Sequence, residues 1–210
     1  MRKRLIAGVL SLSLLLGTVP LTALAESLPE ETTVEEMPVP KVENTAWEIP
    51  AIVEEAVEAP EDVTVIQVED TRYAMAFISA AWFGHPAEKL KVIGITGTKG
   101  KTTTTYLVKS ILENAGYKVG LVGTIEVIIG DEHIHANNTT PESYLLQEYF
   151  ARMVEAGLDT VVMEVSSQAL MLHRTQGFVF DYGIFTNLSE DHIGPTEHPD
   201  FADYLDCKRR

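Results

Sequence analysis

The residues with the clearest chemistry lie in Gly97-Thr98-Lys99-Gly100-Lys101-Thr102-Thr103. Glycines allow the backbone to turn so that several N–H groups face one anion, and a helix N-terminus adds positive potential. A lysine next to that turn neutralises terminal phosphate charge, and the hydroxyl after it can hold Mg2+. The strict nucleotide-loop spacing places a further glycine five residues before Gly100, where this chain has Ile95, so the loop is a variant whose tight part begins at Gly97. A Gly/Thr-rich turn ahead of an ordinary helix is the alternative. The immediate succession of apolar run, Gly-Lys-Thr and helical pattern favours a nucleoside triphosphate, ATP or GTP.

Two further groups follow later in the chain. Glu164 ends the apolar run Thr160-Val-Val-Met163, and Asn187-Leu-Ser-Glu-Asp-His192 follows another apolar run. In an open α/β sheet ligands gather at the carboxyl ends of strands, so both groups are expected near the loop. A carboxylate there suits a nucleotide's Mg2+; a cap for the next helix is its other reading. Ser166 and Ser167 either position a substrate or cap that helix. His192 either serves a metal or phosphate or is a plain loop histidine.

These groups need a framework of strands and helices. Val92 to Ile95 reads as a strand, and the helix after the loop runs to about Asn114, with Gly116 as its C-terminal cap. Lys118–Val122 reads as a short strand, and Thr124–Ile129 and Glu132–Ala136 as a hairpin about Gly130-Asp131. Thr140-Pro141-Glu142 has the form of a helix start, with a hydroxyl cap, proline at the first position and an acid in the first turn; that helix should end at Gly157. Asp159–Val165 and Asp181–Thr186 read as buried strands. Strand alternating with helix predicts an α/β fold with a mostly parallel sheet and flanking helices.

The sequence before this is of a different kind. Residues 1–25 read as a signal-peptide-like segment: Arg2-Lys-Arg4, an apolar stretch, then Ala23-Leu-Ala25. If it acts, the product is exported. Gly17 and Pro20 make a stable membrane span unexpected. The formal charge of −15 is concentrated in residues 26–70, which hold fourteen acids and one base, Lys41. Residues 26–60 read as a disordered acidic, Pro/Glu-rich linker. Val63–Val68 reads as a strand and Thr71–Phe83 as a helix capped by Thr71. No basic surface for nucleic acid is indicated, and a single cysteine, Cys207, excludes an internal disulfide.

Taken together, Gly97-Thr-Lys-Gly-Lys-Thr102, Asn138-Thr-Thr-Pro-Glu-Ser143, Met163-Glu-Val-Ser-Ser-Gln-Ala-Leu170 and Phe185-Thr-Asn-Leu-Ser-Glu-Asp-His192 resemble the Mur ligases in order and spacing, most closely the MurE type. The resemblance covers about residues 61–210. It implies a P-loop-type central ATP-binding domain over 89–210 and a remnant of the N-terminal UDP-binding domain over 61–88. The remaining family domains are expected to fall outside these residues, leaving the 210-residue chain inactive alone. The implied reaction is ATP-dependent addition of an amino acid to UDP-N-acetylmuramoyl-L-Ala-D-Glu through an acyl phosphate, a cytoplasmic step in peptidoglycan synthesis that conflicts with the signal-like start. An exported or tethered nucleotide-binding remnant without ligase activity is the competing reading, and a general P-loop hydrolase is weaker because it leaves the other motifs unexplained.

By the same resemblance, Gly97, Thr98, Lys99, Gly100, Lys101, Thr102 and Thr103 contact ATP. Thr102, Glu164, His192 and Lys208 serve Mg2+, with Lys208 in the place of a lysine carbamylated by CO2. Lys101 and Lys208 are the catalytic lysines, and Thr139, Thr140, Ser166 and Arg174 contact the UDP-muramoyl-dipeptide. Arg174 also suits a carboxylate or phosphate as a bidentate partner. The chain departs from the family pattern at Lys99, usually Asn, and at Gln168, commonly His. In Asp191-His-Ile-Gly-Pro-Thr-Glu-His198 the second histidine falls later than in the family, so no role is carried to it.

Overall fold

A computed structural model describes residues 50–60, 62–195 and 197–209. The signal-like segment and residues 26–49 of the expected linker lie outside these residues. The chain divides after Ala74 into two compact units.

In the first unit, β1 (Ala51–Val53) pairs in parallel with β2 (Val65–Gln67). Order therefore begins inside the expected linker, whose last ten residues are not a featureless spacer. The reason is local: Ala51-Ile-Val53 is a β-prone triplet, and Ile52 and Val53 are buried. Helix α1 (Thr71–Trp82) follows. Its cap is Asp70, whose Oδ1 accepts from Tyr73 N at 2.7 Å, rather than Thr71. The Thr71 hydroxyl donates instead to Glu54 Oε1 at 2.9 Å.

The second unit is built on a six-stranded sheet in the order β6-β5-β4-β7-β3-β8. Its strands are β3 (Lys91–Thr96), β4 (Val119–Val122), β5 (Glu126–Ile129), β6 (Glu132–His135), β7 (Thr160–Glu164) and β8 (Tyr182–Phe185). β4, β7, β3 and β8 run parallel, while β5 and β6 add an antiparallel edge. Helix α2 (Lys101–Asn114) crosses from β3 to β4, and α3 (Ser143–Glu155) leads from the hairpin back to β7. Two short helices complete the unit, α4 (Ser167–Met171) and α5 (Phe201–Arg209).

Alternation along the strands feeds two cores. Val92, Val122, Val161 and Met163 pack with Leu146, Phe150 and Met153 of α3. Ile93, Ile95, Val119 and Val162 pack with Val108 and Leu112 of α2. β7 lies between β3 and β4 and is buried at all five residues, as its unbroken apolar run requires. The expected α/β architecture is present, and with β3 and β7 adjacent, the loop after one strand faces the residue ending the other.

A candidate phosphate and metal cleft

The loop after β3 is shaped by backbone demands. Gly97 has φ 136°, and a Cβ there would lie 2.1 Å from Thr186 Oγ1 and 2.9 Å from Asn187 O. Only glycine fits. Gly100, at φ 81°, caps α2 without using a side chain, so the helix's first amides are not taken by a cap. Thr98 is buried, its Oγ1 2.9 Å from Tyr204 Oη and accepting from Ser189 N at 3.0 Å. Asn187 clasps the loop at Lys99 with both halves of its amide: Oδ1 accepts from Lys99 N and Nδ2 donates to Lys99 O, each at 2.9 Å. Only the backbone of Lys99 is held in this way, and the residue is exposed, as is Thr103.

Lys101 Nζ donates to the carbonyl oxygens of Gly97 (2.9 Å) and Thr98 (3.3 Å), which holds the ammonium against the loop. Burial lowers its pKa below the ordinary lysine value, while Glu164 and Asp191 oppose that shift.

Glu164 is buried at the end of β7. Its Oε2 accepts from Thr102 Oγ1 at 2.9 Å and from Thr124 Oγ1 at 3.0 Å, and its Oε1 accepts from Thr124 N at 2.9 Å. A Cβ on Gly123 would lie 2.7 Å from Oε1, so that glycine makes room for the carboxylate. The Thr102 and Glu164 oxygens fit a hard cation: neighbouring ligands of an octahedral Mg2+ with bonds of about 2.1 Å lie about 3 Å apart.

Thr140 occupies a different position from the one expected of it. Helix α3 starts at Ser143 with Glu142 as N-cap, so Thr140 does not cap it. Its hydroxyl donates to Glu164 O at 2.9 Å and accepts from Ser166 N at 3.0 Å, fixing the chain just past β7. Fully buried, Thr140 does not line the cleft; its carbonyl accepts from Arg174 Nη1 at 3.2 Å. Arg174 Nη2 also pairs with Glu142 Oε1 at 2.6 Å. Ser166 does cap its helix, accepting from Ala169 N at 3.1 Å. Thr139 Oγ1 lies 3.1 Å from Thr124 Oγ1, whose one proton goes to Glu164.

Helix α5 supplies the opposite wall. Lys208 is buried and its Nζ donates to the same Gly97 carbonyl at 3.2 Å, with a longer contact of 3.4 Å to Thr96 Oγ1. The ammonium also lies 4.8 Å from the centre of the Tyr204 ring. Burial, with the Lys101 charge adding to it, pushes its pKa down to about 8. His192 has left-handed backbone (φ 57°), and its Nδ1 lies 3.0 Å from Glu197 Oε1.

One cleft of about 310 Å³ gathers part of this set, while Thr102 and Glu164 are not among its lining residues. Lys101, Thr124, Thr139, Ser166, Arg174, His192 and Lys208 all line it. Thr124 was not singled out from the sequence, and Asn187 was placed near the loop only as the start of the group ending in His192, with no role of its own. The one signal available was their position just after a strand of the parallel sheet.

A glycine-rich loop between strand and helix, with an acid at the end of the neighbouring parallel strand, defines a P-loop-type α/β domain. Residues 95–210 match the model of the Mur ligase middle domain, and the chain belongs to the Mur ligase family. It is 52% identical over 157 residues to the UDP-N-acetylmuramoyl-L-alanyl-D-glutamate–2,6-diaminopimelate ligase of Clostridium perfringens, covering 75% of this chain and 32% of that protein. It is 54% identical over 145 residues to ligase 1 of the same name from Clostridium acetobutylicum, covering 69% of this chain and 30% of the relative. The chain thus spans about a third of the length of the curated relatives it matches. A solved structure of a ligase with that name superposes with a TM-score of 0.65 at 23% identity, over 76% of this chain and 31% of the other, a likeness of fold. Among the described residues no helix is long and apolar enough to cross a membrane.

Proposed function

We propose that this chain carries the nucleotide- and muramoyl-peptide-binding cleft of an ATP-dependent ligase that extends UDP-N-acetylmuramoyl-L-alanyl-D-glutamate by one amino acid. The convergence of Lys101, Lys208, Ser166 and Arg174 on one cleft carries the reading. The activity named for the relatives supports 2,6-diaminopimelate as the amine donor.

In this reading the substrate carboxylate attacks the γ-phosphorus of ATP in line, giving an acyl phosphate and ADP. The amine then attacks the acyl carbon, phosphate leaves, and the amine's proton passes to solvent. No covalent bond to the protein is needed; charge neutralisation and alignment lower the barrier. Lys101 and the loop amides hold the phosphates. Arg174 and Ser166 orient the peptide carboxylate, with Thr139 beside them. Thr140 acts through the backbone it pins. Thr102 and Glu164 would hold one Mg2+ and His192 would serve a second, and such ions would supply charge neutralisation at the phosphate oxygens. A depressed pKa leaves part of Lys208 neutral near pH 8, as addition of CO2 requires, and the resulting carbamate would replace a buried cation with an anionic oxygen donor beside Lys101.

The test is ATP binding by the 210-residue chain, measured by calorimetry with Mg2+. Lys101→Ala should weaken it about 10–100-fold, the worth of a hydrogen bond to a charged group. Equal affinity in the two proteins overturns the assignment. The signal-like residues 1–25 support a second reading, a nucleotide-binding module acting outside the cytoplasm. A mature chain beginning near Glu26 in the extracytoplasmic fraction would establish it, and an intact Met1 in the cytosol would exclude it.

A further inference from the structure

A second cluster of donor groups shares His198 with the lining of the cleft. We propose that His198, Asp203 and Cys207 form a site for a borderline-soft divalent metal of the zinc class, distinct from the hard-cation pair Thr102–Glu164. One ligand atom from each of the three residues lies within 4.8 Å of the others. Asp203 and Cys207 are four residues apart on α5, so they occupy one face of the helix. His198 enters from the preceding loop, its Nδ1 2.7 Å from Asp203 Oδ2. The edge-on ring of Tyr204, with centroids 5.2 Å apart, fixes the imidazole plane.

Burial and the mixed donor set distinguish this cluster from an ordinary buried ion pair. His198 and Cys207 are each only 1% exposed, so a bound metal would be shielded from competing water. A metal shared with Asp203 and Cys207 would take His198 through Nδ1, replacing the present contact to Asp203 Oδ2. Imidazole, carboxylate and thiolate together form a donor set that selects zinc, cobalt or cadmium over magnesium. Tetrahedral zinc with bonds of 2.0–2.3 Å needs ligand atoms roughly 3.3–3.8 Å apart, so closing the site asks for shifts of about 1 Å. Binding would release the thiol proton to solvent and leave a fourth position for a non-protein ligand. It would also tie the helical turn that carries Lys208 to the loop before it.

Cobalt(II) titration of the full 210-residue chain provides the test. Cys207 is the sole cysteine, so any thiolate-to-cobalt charge-transfer absorption must come from it. One equivalent of cobalt should produce that band together with the intense visible bands of tetrahedral coordination, and zinc should displace both. His198→Gln should weaken binding by more than about 100-fold, since even an outer-shell partner is worth 10–100-fold. Thr102→Ala should leave the band unchanged. Absence of a thiolate band in the wild-type chain overturns the proposal, and that result does not depend on whether any variant folds. A band that survives His198→Gln overturns the ligand set. Either failure leaves the ATP reading untouched, because ATP affinity is measured separately.

Discussion

The two walls of the cleft hold their polar groups in different ways. At the ends of β3 and β7 the Glu164 carboxylate takes three hydrogen bonds of 2.9–3.0 Å, two of them from Thr124. On the α5 side, Lys208 has donor contacts of 3.2 and 3.4 Å, and His198 Nε2 has no partner. The first wall is fixed by the sheet. The second holds cationic and neutral donors that the fold itself compensates less well. Preorganisation is therefore concentrated where the phosphates and first metal would sit, and a changeable electrostatic state where Lys208 lies.

The largest expected effect would break the rigid wall at its tightest point. Gly97→Ala brings a Cβ within 2.1 Å of Thr186 Oγ1 at φ 136°, combining backbone strain with overpacking. A loss of more than about 3 kcal/mol is expected in denaturant unfolding; a loss under 1 kcal/mol would mean the loop can relax. Next comes Glu164→Leu, which leaves the Thr102 hydroxyl and both Thr124 donors without their acceptor. About 3 kcal/mol should be lost, and Glu164→Gln, which keeps an acceptor oxygen, should lose less.

The other wall should respond in the opposite direction. Lys208→Met removes a buried cation beside Lys101 and should raise the Tm by a few degrees at pH 7. The pH dependence follows from the depressed pKa, about 8 against an ordinary 10.5. Below pH 8 the ammonium is charged in both folded and unfolded chains, and the folded state carries the full desolvation penalty. Between 8 and 10.5 the folded chain binds fewer protons than the unfolded one, so wild-type stability rises with pH. The Tm gap to Lys208→Met should therefore narrow from pH 7 to pH 10. A gap independent of pH would place Lys208 in an environment no different from solvent.

Two smaller changes sharpen the boundary between the walls. Tyr204→Phe removes the 2.9 Å contact to Thr98 and should cost about 1 kcal/mol in thermal or chemical unfolding. Lys99→Asn should stay within about 0.5 kcal/mol, because Asn187 grips only the backbone of Lys99.

The sheet, its helices and the loop were legible because each is a local pattern: apolar period, glycine spacing, lysine beside hydroxyl. Thr140-Pro-Glu shows where local reading fails. A hydroxyl that can cap a helix can equally bond backbone far away, and Thr140 bonds Glu164 and Ser166, 24 and 26 residues on. Thr124 went unnoticed and Asn187 was given no role for the same reason, since their contacts span 40 and 88 residues. Asp70 displaced Thr71 as a cap because Glu54, just past the end of β1, engages the Thr71 hydroxyl. Lys208 could be placed only by the family resemblance, since a Lys-Arg-Arg cluster by itself reads as surface charge. It is buried against the loop.

The Gly97 carbonyl accepts from two ammonium groups, Lys101 four residues away and Lys208 at a separation of 111. In the time order of folding, this makes the loop one of the last parts to finish. Its glycines and first lysine can meet as soon as β3 and α2 form, but the second lysine arrives only when nearly the whole second unit has been made and α5 has docked. Contacts this distant in sequence are entropically slow to close. A nascent chain in which α5 has not yet emerged would therefore display the loop with one of its two cations in place, and the second would arrive as that helix seats.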